Sequence, residues 1–225
     1  MLVTPDTSGY FITGSDTDVG KTWVACEIVR QLSALGLDVA TRKPAESGCR
    51  ESASGELLTH DAAALREANG ERESIERIAP YRFRAALAPH RAARLENQRI
   101  EIAQLVDACE RERPDQLLVA EGAGGFFSPL AENGLNADLA SALQLPVIVV
   151  VVDRVGAVNQ ALMTLQAVGD RHLRVAAIIL NQVQASSEPG MDNAADLAPY
   201  TDVPVFRCAH NGSLEPVFEA GDGPV

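Results

Sequence analysis

Apolar positions along the chain recur with two different periods, and the two alternate. Tyr10, Phe11 and Ile12 form a short apolar run closed by Thr13-Gly14, the mark of a buried strand that ends in a turn. From Lys21 onward Ala25, Ile28, Val29 and Leu32 fall three and four apart, which predicts a helix with one buried face. Leu37–Arg42 reads as the second strand and runs into Lys43-Pro-Ala-Glu-Ser-Gly48. Leu57–Ala68 has helical spacing, with Asp61 near its start. Glu71–Arg99 follows neither period, yet a connection of that length must pack in part. Ile102, Leu105, Val106 and Cys109 predict another helix, and Leu117–Ala120 a buried strand ending in Glu121-Gly-Ala-Gly-Gly125. Pro146–Val152 is an almost unbroken β-branched run, as expected of a central parallel strand covered on both faces. Gly156–Val168 should be its crossover helix, Val175–Leu180 the next strand, ending at Asn181, and Val203–Phe206 a last short one. Glu219–Val225 reads as a frayed tail. The alternation predicts an α/β fold: three layers, doubly wound on a mostly parallel sheet, one domain over residues 1–225.

Composition sharpens this picture more by what it excludes. The chain has 225 residues, 46% of them hydrophobic, enough for one full core. Its net charge of −12 argues against an electrostatic hold on nucleic acid or an anionic membrane. The longest apolar run has strand length, too short to span a bilayer. The N-terminus shows no charged-then-apolar leader, which leads us to expect a cytoplasmic protein. Cys26, Cys49, Cys109 and Cys208 lack metal-binding spacing and read as reduced thiols. His60, His90, His172 and His210 lack it too, and read as surface or hydrogen-bonded side chains.

The first strand, the loop Gly14–Gly20 and the helix opened by Lys21-Thr22 carry the chemistry. Backbone N–H groups of such a loop, with Thr17, Asp18, Val19 and Gly20 lining it, point at phosphates. Lys21 neutralises the outer ones, and the Thr22 hydroxyl is placed to ligate magnesium. The loop holds five residues between its glycines where the common pattern has four, and Ser15 replaces a glycine. Trp23 reads as helix packing, with its backbone N–H in reach of an α-phosphate. Glu121, a charge at the end of an apolar strand, needs a partner. The magnesium on Thr22 is the economical one, a turn-capping role the alternative. Asp61 taken alone suits a helix start as well as a metal, and Lys43 taken alone reads equally as a solvated charge. Asn181-Gln-Val-Gln184 lacks the aspartate of a guanine-reading Asn-Lys-x-Asp element, which leaves Asn181 to pair with an adenine edge.

Taken together, Gly14–Thr22, Lys43–Gly48, the Asp61 helix, Pro89-His90, Glu121–Gly125, Leu145–Val150 and Val155–Asn159 resemble the dethiobiotin synthetases. The resemblance extends over residues 9 to 181. It implies a homodimeric, Mg2+- and ATP-dependent ligase of biotin synthesis. Such an enzyme phosphorylates the carbamate of 7,8-diaminononanoate and CO2, then closes a cyclic urea, releasing ADP and phosphate. By position, Thr22, Asp61 and Glu121 match the metal and ATP ligands, Lys21 the phosphate lysine and Lys43 a second essential lysine. Gly122, Ala123 and Gly124 follow in the ATP set, and Ser47 matches a substrate contact. Gly156, Ala157, Val158 and Asn159 match a helix start that takes the substrate carboxylate across the dimer interface. The chain departs from the family at Asp18, at Gln160 and at Arg207–His210, where an Ile-Pro element usually stands. Two rivals fit less well. An amide-forming relative needs a glutamine-hydrolysing domain, for which there is no room. A partition-type ATPase switch carries an early loop lysine where this chain has Ser15 and Asp16, together with basic surfaces where this chain is acidic.

Overall fold

The computed structural model describes residues 4–6, 8–185 and 188–219. Six parallel strands form the central sheet: β1 (Gly9–Gly14), β2 (Val39–Arg42), β3 (Leu117–Gly125), β4 (Val147–Val152), β5 (Val175–Asn181) and β6 (Val205–Cys208). Their order is β6-β5-β4-β1-β3-β2. Growth reverses at β1, with β3 and β2 on one side and β4, β5 and β6 on the other. A reversal of this kind opens a crevice at the carboxyl ends of the strands.

Alternation along the strands divides the core into two layers. Phe11, Val147, Val149 and Val151 face one side, and Tyr10, Ile12, Ile148 and Val150 face the other. The first layer is covered by α4 (Pro89–Leu95), α5 (Ile102–Ala108), α6 (Asn136–Leu143) and α7 (Ala157–Gly169). The second is covered by α1 (Lys21–Ala34), α2 (Asp61–Ala68) and the segment around Val217-Phe218. Hence β4 shows no polar alternation: both of its faces are buried.

Several elements depart from the sequence reading. The helix expected from Leu57 begins only at Asp61, because the Glu46 carboxylate takes the backbone N–H groups of His60, Asp61 and Ala62. Leu57-Leu58 pairs instead with Arg50-Glu51 as a two-residue antiparallel ladder. The aperiodic Glu71–Arg99 stretch holds α3 (Ile75–Ile78), α4 and a short strand, Tyr81–Phe83, parallel to Ala45–Ser47. The last strand starts at Val205, since Pro204 contributes only its carbonyl, to Ile178 N–H. α6 and a one-turn helix, α8 (Asn193–Leu197), carry no period that predicted them. Most of the expected frayed tail lies outside the described residues. Among the described residues no helix is long and apolar enough to cross a membrane, and all four cysteines are free and buried.

Candidate active site

The loop after β1 is shaped by what its glycines exclude. Gly20 sits at φ +85°, and a Cβ there would lie 2.0 Å from Asn181 Nδ2. A Cβ on Gly14 would meet Val19 Cγ2 at 2.6 Å. Asp18, at φ 58°, takes a left-handed backbone that Asp tolerates better than most side chains. Held this way, the loop delivers Lys21 and Thr22 as the first two residues of α1, where the unpaired N–H groups of a helix start favour an anion.

The end of β2, the middle of β3 and the starts of α1 and α2 then converge on one point. Lys43, just past β2, is buried; its Nζ donates to Glu121 Oε1 at 2.6 Å and to Gly122 O at 3.2 Å. The same ammonium lies 2.8 Å from Asp61 Oδ2. Thr22 Oγ1 donates to Glu121 Oε1 at 2.9 Å. The solvated-charge reading of Lys43 is therefore corrected: it is 4% exposed and locked between two carboxylates. Glu121 Oε2 is buried and has no hydrogen-bond partner among the described residues. Leaving a buried carboxylate oxygen unpaired is costly, and a divalent cation shared with Thr22 and Asp61 would satisfy it. The donor set is all oxygen, as magnesium prefers.

Charge and burial tune these groups in opposite directions. Burial pushes Lys21 down, the Lys43 charge adds to it, and the acidic neighbours compensate only in part, leaving Lys21 at about 8. Burial opposes the Lys43 ammonium too, but Glu121 and Asp61 outweigh it and hold its pKa above the ordinary lysine value. Burial raises Asp61, yet Lys43 beside it brings the carboxyl down to about 2. Glu121 ends above the ordinary range: burial, reinforced by the Asp61 charge, outweighs Lys43 and Thr22.

Two residues outside the sequence reading hold this arrangement. Glu46 caps α2 through three N–H groups, at 2.7, 3.0 and 2.9 Å, and so fixes Asp61 opposite Lys43. Asn136, fully buried at the start of α6, accepts from Ala123 N and donates to Ala123 O and Ser128 O. It braces Gly122–Gly125, which continue β3 past Glu121 where the sequence reading expected a turn. Glu46 had a signal, an acid three residues past Lys43 beside a proline. Asn136 had none.

A cavity of about 470 Å³ brings most of the expected residues together. It is lined by Thr17, Asp18, Gly20, Lys21, Thr22 and Trp23 from the loop and α1, together with Lys43, Ser47, Asp61, Glu121, Ala123 and Gly124. Val19 and Gly122 stand behind it as backbone supports. Asn181 is buried beneath the loop, donating from Nδ2 to Val19 O at 2.9 Å. Gly156–Asn159 forms the start of α7, with Gly156 as a left-handed cap, and none of the four lines this cavity. Trp23 is not helix packing: it is 48% exposed, and its indole N–H reaches Gly212 O. The histidine reading holds for His60, which is exposed, but not for His90, whose Nδ1 is buried without a partner among the described residues.

A glycine loop at a helix head, with two lysines and two carboxylates at the carboxyl ends of a parallel sheet, defines a phosphate-loop nucleotide-using protein. A family model described as an AAA domain matches residues 8–211. A solved structure, the signal recognition particle receptor FtsY from Elizabethkingia anophelis, shares the fold with a TM-score of 0.50 at 15% identity. The alignment covers 91% of this chain and 59% of that one. Two curated relatives carry the name ATP-dependent dethiobiotin synthetase BioD. The one from Anaeromyxobacter dehalogenans (strain 2CP-C) is 44% identical, covering 86% of this chain and 85% of the relative. The one from Ruthia magnifica subsp. Calyptogena magnifica is 37% identical, covering 92% and 94%. The chain belongs to the ATP-dependent dethiobiotin synthetases.

Proposed function

We propose that this chain uses ATP to close the urea ring of dethiobiotin from 7,8-diaminononanoate and CO2, the ring-forming step of its family. One amine adds to CO2 and loses a proton to give a carbamate. A carbamate oxygen takes the terminal phosphoryl group of ATP and releases ADP. The second amine then attacks the carbamate carbon and expels phosphate. Each step demands positioned cations more than a side-chain nucleophile, because carbamate and phosphate are both anions.

The observation that carries this reading is the placement of Lys43, buried between Asp61 and Glu121 in the cavity that Lys21 also lines. Lys21, at the head of α1, is placed for the phosphates. Lys43, which stays charged, is placed for the carbamate oxygen as it meets the phosphoryl group. Thr22, Asp61 and Glu121 would hold Mg2+, which when bound neutralises phosphate oxygens. Thr17, Asp18, Gly122, Ala123 and Gly124 shape the cradle, and Ser47 meets the substrate. The Asn181 amide braces the loop through Nδ2, so its carboxamide oxygen is the atom left to accept from the adenine amino group.

We place the substrate carboxylate at the start of α7 of a second copy of the chain. Gly156–Asn159 does not line the chain's own cavity, and the surface near it carries exposed Phe127, Val155 and Met163. Apolar side chains grouped on one surface suit an interface. A shared homodimeric site follows, in the cytoplasm, with neither nucleic acid nor membrane as partner; the net charge of −12 supports the last point. The test is direct. The protein is mixed with 7,8-diaminononanoate, bicarbonate and MgATP, and dethiobiotin is sought by mass spectrometry. A product that needs all three supports the reading; its absence from folded protein rejects it.

A further inference from the structure

We infer that the exposed face of Trp23 is the platform on which the purine base of the nucleotide stacks. The inference rests on the nucleotide reading above and extends it to the opposite end of the ligand. The sheet fixes which way a triphosphate lies. Its reacting end belongs beside Lys43, Asp61 and Glu121, on the β2 and β3 side of the sheet. The loop sits over β1, so the remainder of the nucleotide extends toward β4, β5 and β6.

Trp23 stands on that far side. It is the third residue of α1, directly after Thr22, and lines the same cavity as Lys21. Its indole lies beside Cys208, the last residue of β6, which pairs in register with Asn181 of β5. The ring edge is held: Nε1 donates to Gly212 O at 3.3 Å, in the segment that follows β6. Yet 48% of the residue is open to solvent. A large aromatic pinned by its edge, left open, and placed where a phosphate-bound ligand must continue has the makings of a stacking surface. Rigidity matters here, since an immobilised ring has little freedom left to lose on binding. Stacking uses the face of the base and Asn181 its edge, so the two do not compete. Stacking is also tolerant of base identity, so Trp23 supplies affinity for purines and leaves the choice of adenine to the edge contact.

The chain has a single tryptophan, which makes the test specific. Indole emission is followed while MgATP is added, and separately while magnesium tripolyphosphate, which carries no base, is added. We expect MgATP to quench the emission in a saturable way and tripolyphosphate to leave it unchanged. By calorimetry, Trp23→Ala should raise the Kd for ATP about tenfold, and Trp23→Phe should recover most of that. The Kd for tripolyphosphate should stay within about twofold in both, since neither change touches a phosphate contact. Equal losses for ATP and tripolyphosphate would mean that Trp23 merely supports α1, and would overturn the inference. So would unchanged ATP affinity in a folded Trp23→Ala protein, although the nucleotide reading would survive that result. Failure of the wild-type protein to bind either ligand would overturn both.

Discussion

Glu46 should hold the active site together without touching substrate. Its buried carboxylate accepts from His60 N, Asp61 N and Ala62 N, the first free donors of α2. In Glu46→Ala all three lose their partner. Ala62 is fully buried, so its N–H is stranded from water, at a cost of about 1–3 kcal/mol. His60 and Asp61 are partly open, and water replaces much of what they lose. The interaction of a partly buried charge with the helix start adds up to about 2 kcal/mol. Together these give a loss of about 3 kcal/mol, or about 6–12 °C in Tm for a chain of this size. Glu46→Gln keeps one acceptor oxygen but loses the charge, and should cost about half as much. Urea unfolding of the three proteins gives the first number. Because Asp61 rides on this helix end, kcat should fall in the same order as stability. A Glu46→Ala protein within about 0.5 kcal/mol of wild type would show that Glu46 does not cap α2 in solution.

Lys21→Ala should fold normally and lose at least about a hundredfold in kcat, as expected when a transition-state electrostatic contact is removed. The shifted Lys21 pKa also sets a pH dependence. Between about 8 and the ordinary 10.5, the folded chain has shed a proton that the unfolded chain keeps. Stability attributable to Lys21 therefore rises with pH across that window, while phosphate binding, which needs the ammonium, is lost. The Kd for tripolyphosphate should climb about tenfold per pH unit above that point, and calorimetry on Lys21→Arg should show no such break. Lys43→Gln should reduce kcat strongly while ATP affinity, read by calorimetry, stays near wild type. Leaving Glu121 and Asp61 without their cation should also cost about 3–5 kcal/mol of stability, part of which added magnesium should restore in a thermal melt. For the shared site, Lys21→Ala mixed with Asn159→Trp should regain activity that neither has alone. Asn159 is exposed, so the larger side chain can be carried without disturbing the core. Proven subunit exchange without recovery would place the substrate carboxylate elsewhere.

The sheet was legible because its strands are covered on both faces. A run such as Val147–Val152 has no other stable environment in a globular chain. The phosphate loop was legible because the fold and the ligand both constrain its glycines. The converging roles of Lys43, Asp61 and Glu121 were not readable from any one of them. Each has an ordinary alternative in sequence, and only the order β1-β3-β2 brings the end of β2, Glu121 within β3 and the start of α2 to one point. The helix start at Asp61 was misplaced because its cap, Glu46, lies 14 residues upstream of His60, beyond any local pattern. Asn136 was missed for a related reason. A buried asparagine that satisfies the glycine-rich end of a strand through space looks in sequence like any polar residue at a helix start. Trp23 was misread because an aromatic at helical spacing usually packs inward. Here the position at the head of α1, facing the cavity, governs.

One site should couple ATP cleavage to ring closure. The most direct test supplies isotopically labelled bicarbonate with 7,8-diaminononanoate and MgATP, and measures ADP, phosphate and dethiobiotin from the same samples. We expect equal amounts of all three, with the label in the urea carbonyl. In Lys43→Gln, ADP and dethiobiotin should fall together. Phosphate release that proceeds without the diamine and yields no labelled product, or a Lys43→Gln protein that forms dethiobiotin at the wild-type rate, would contradict the account.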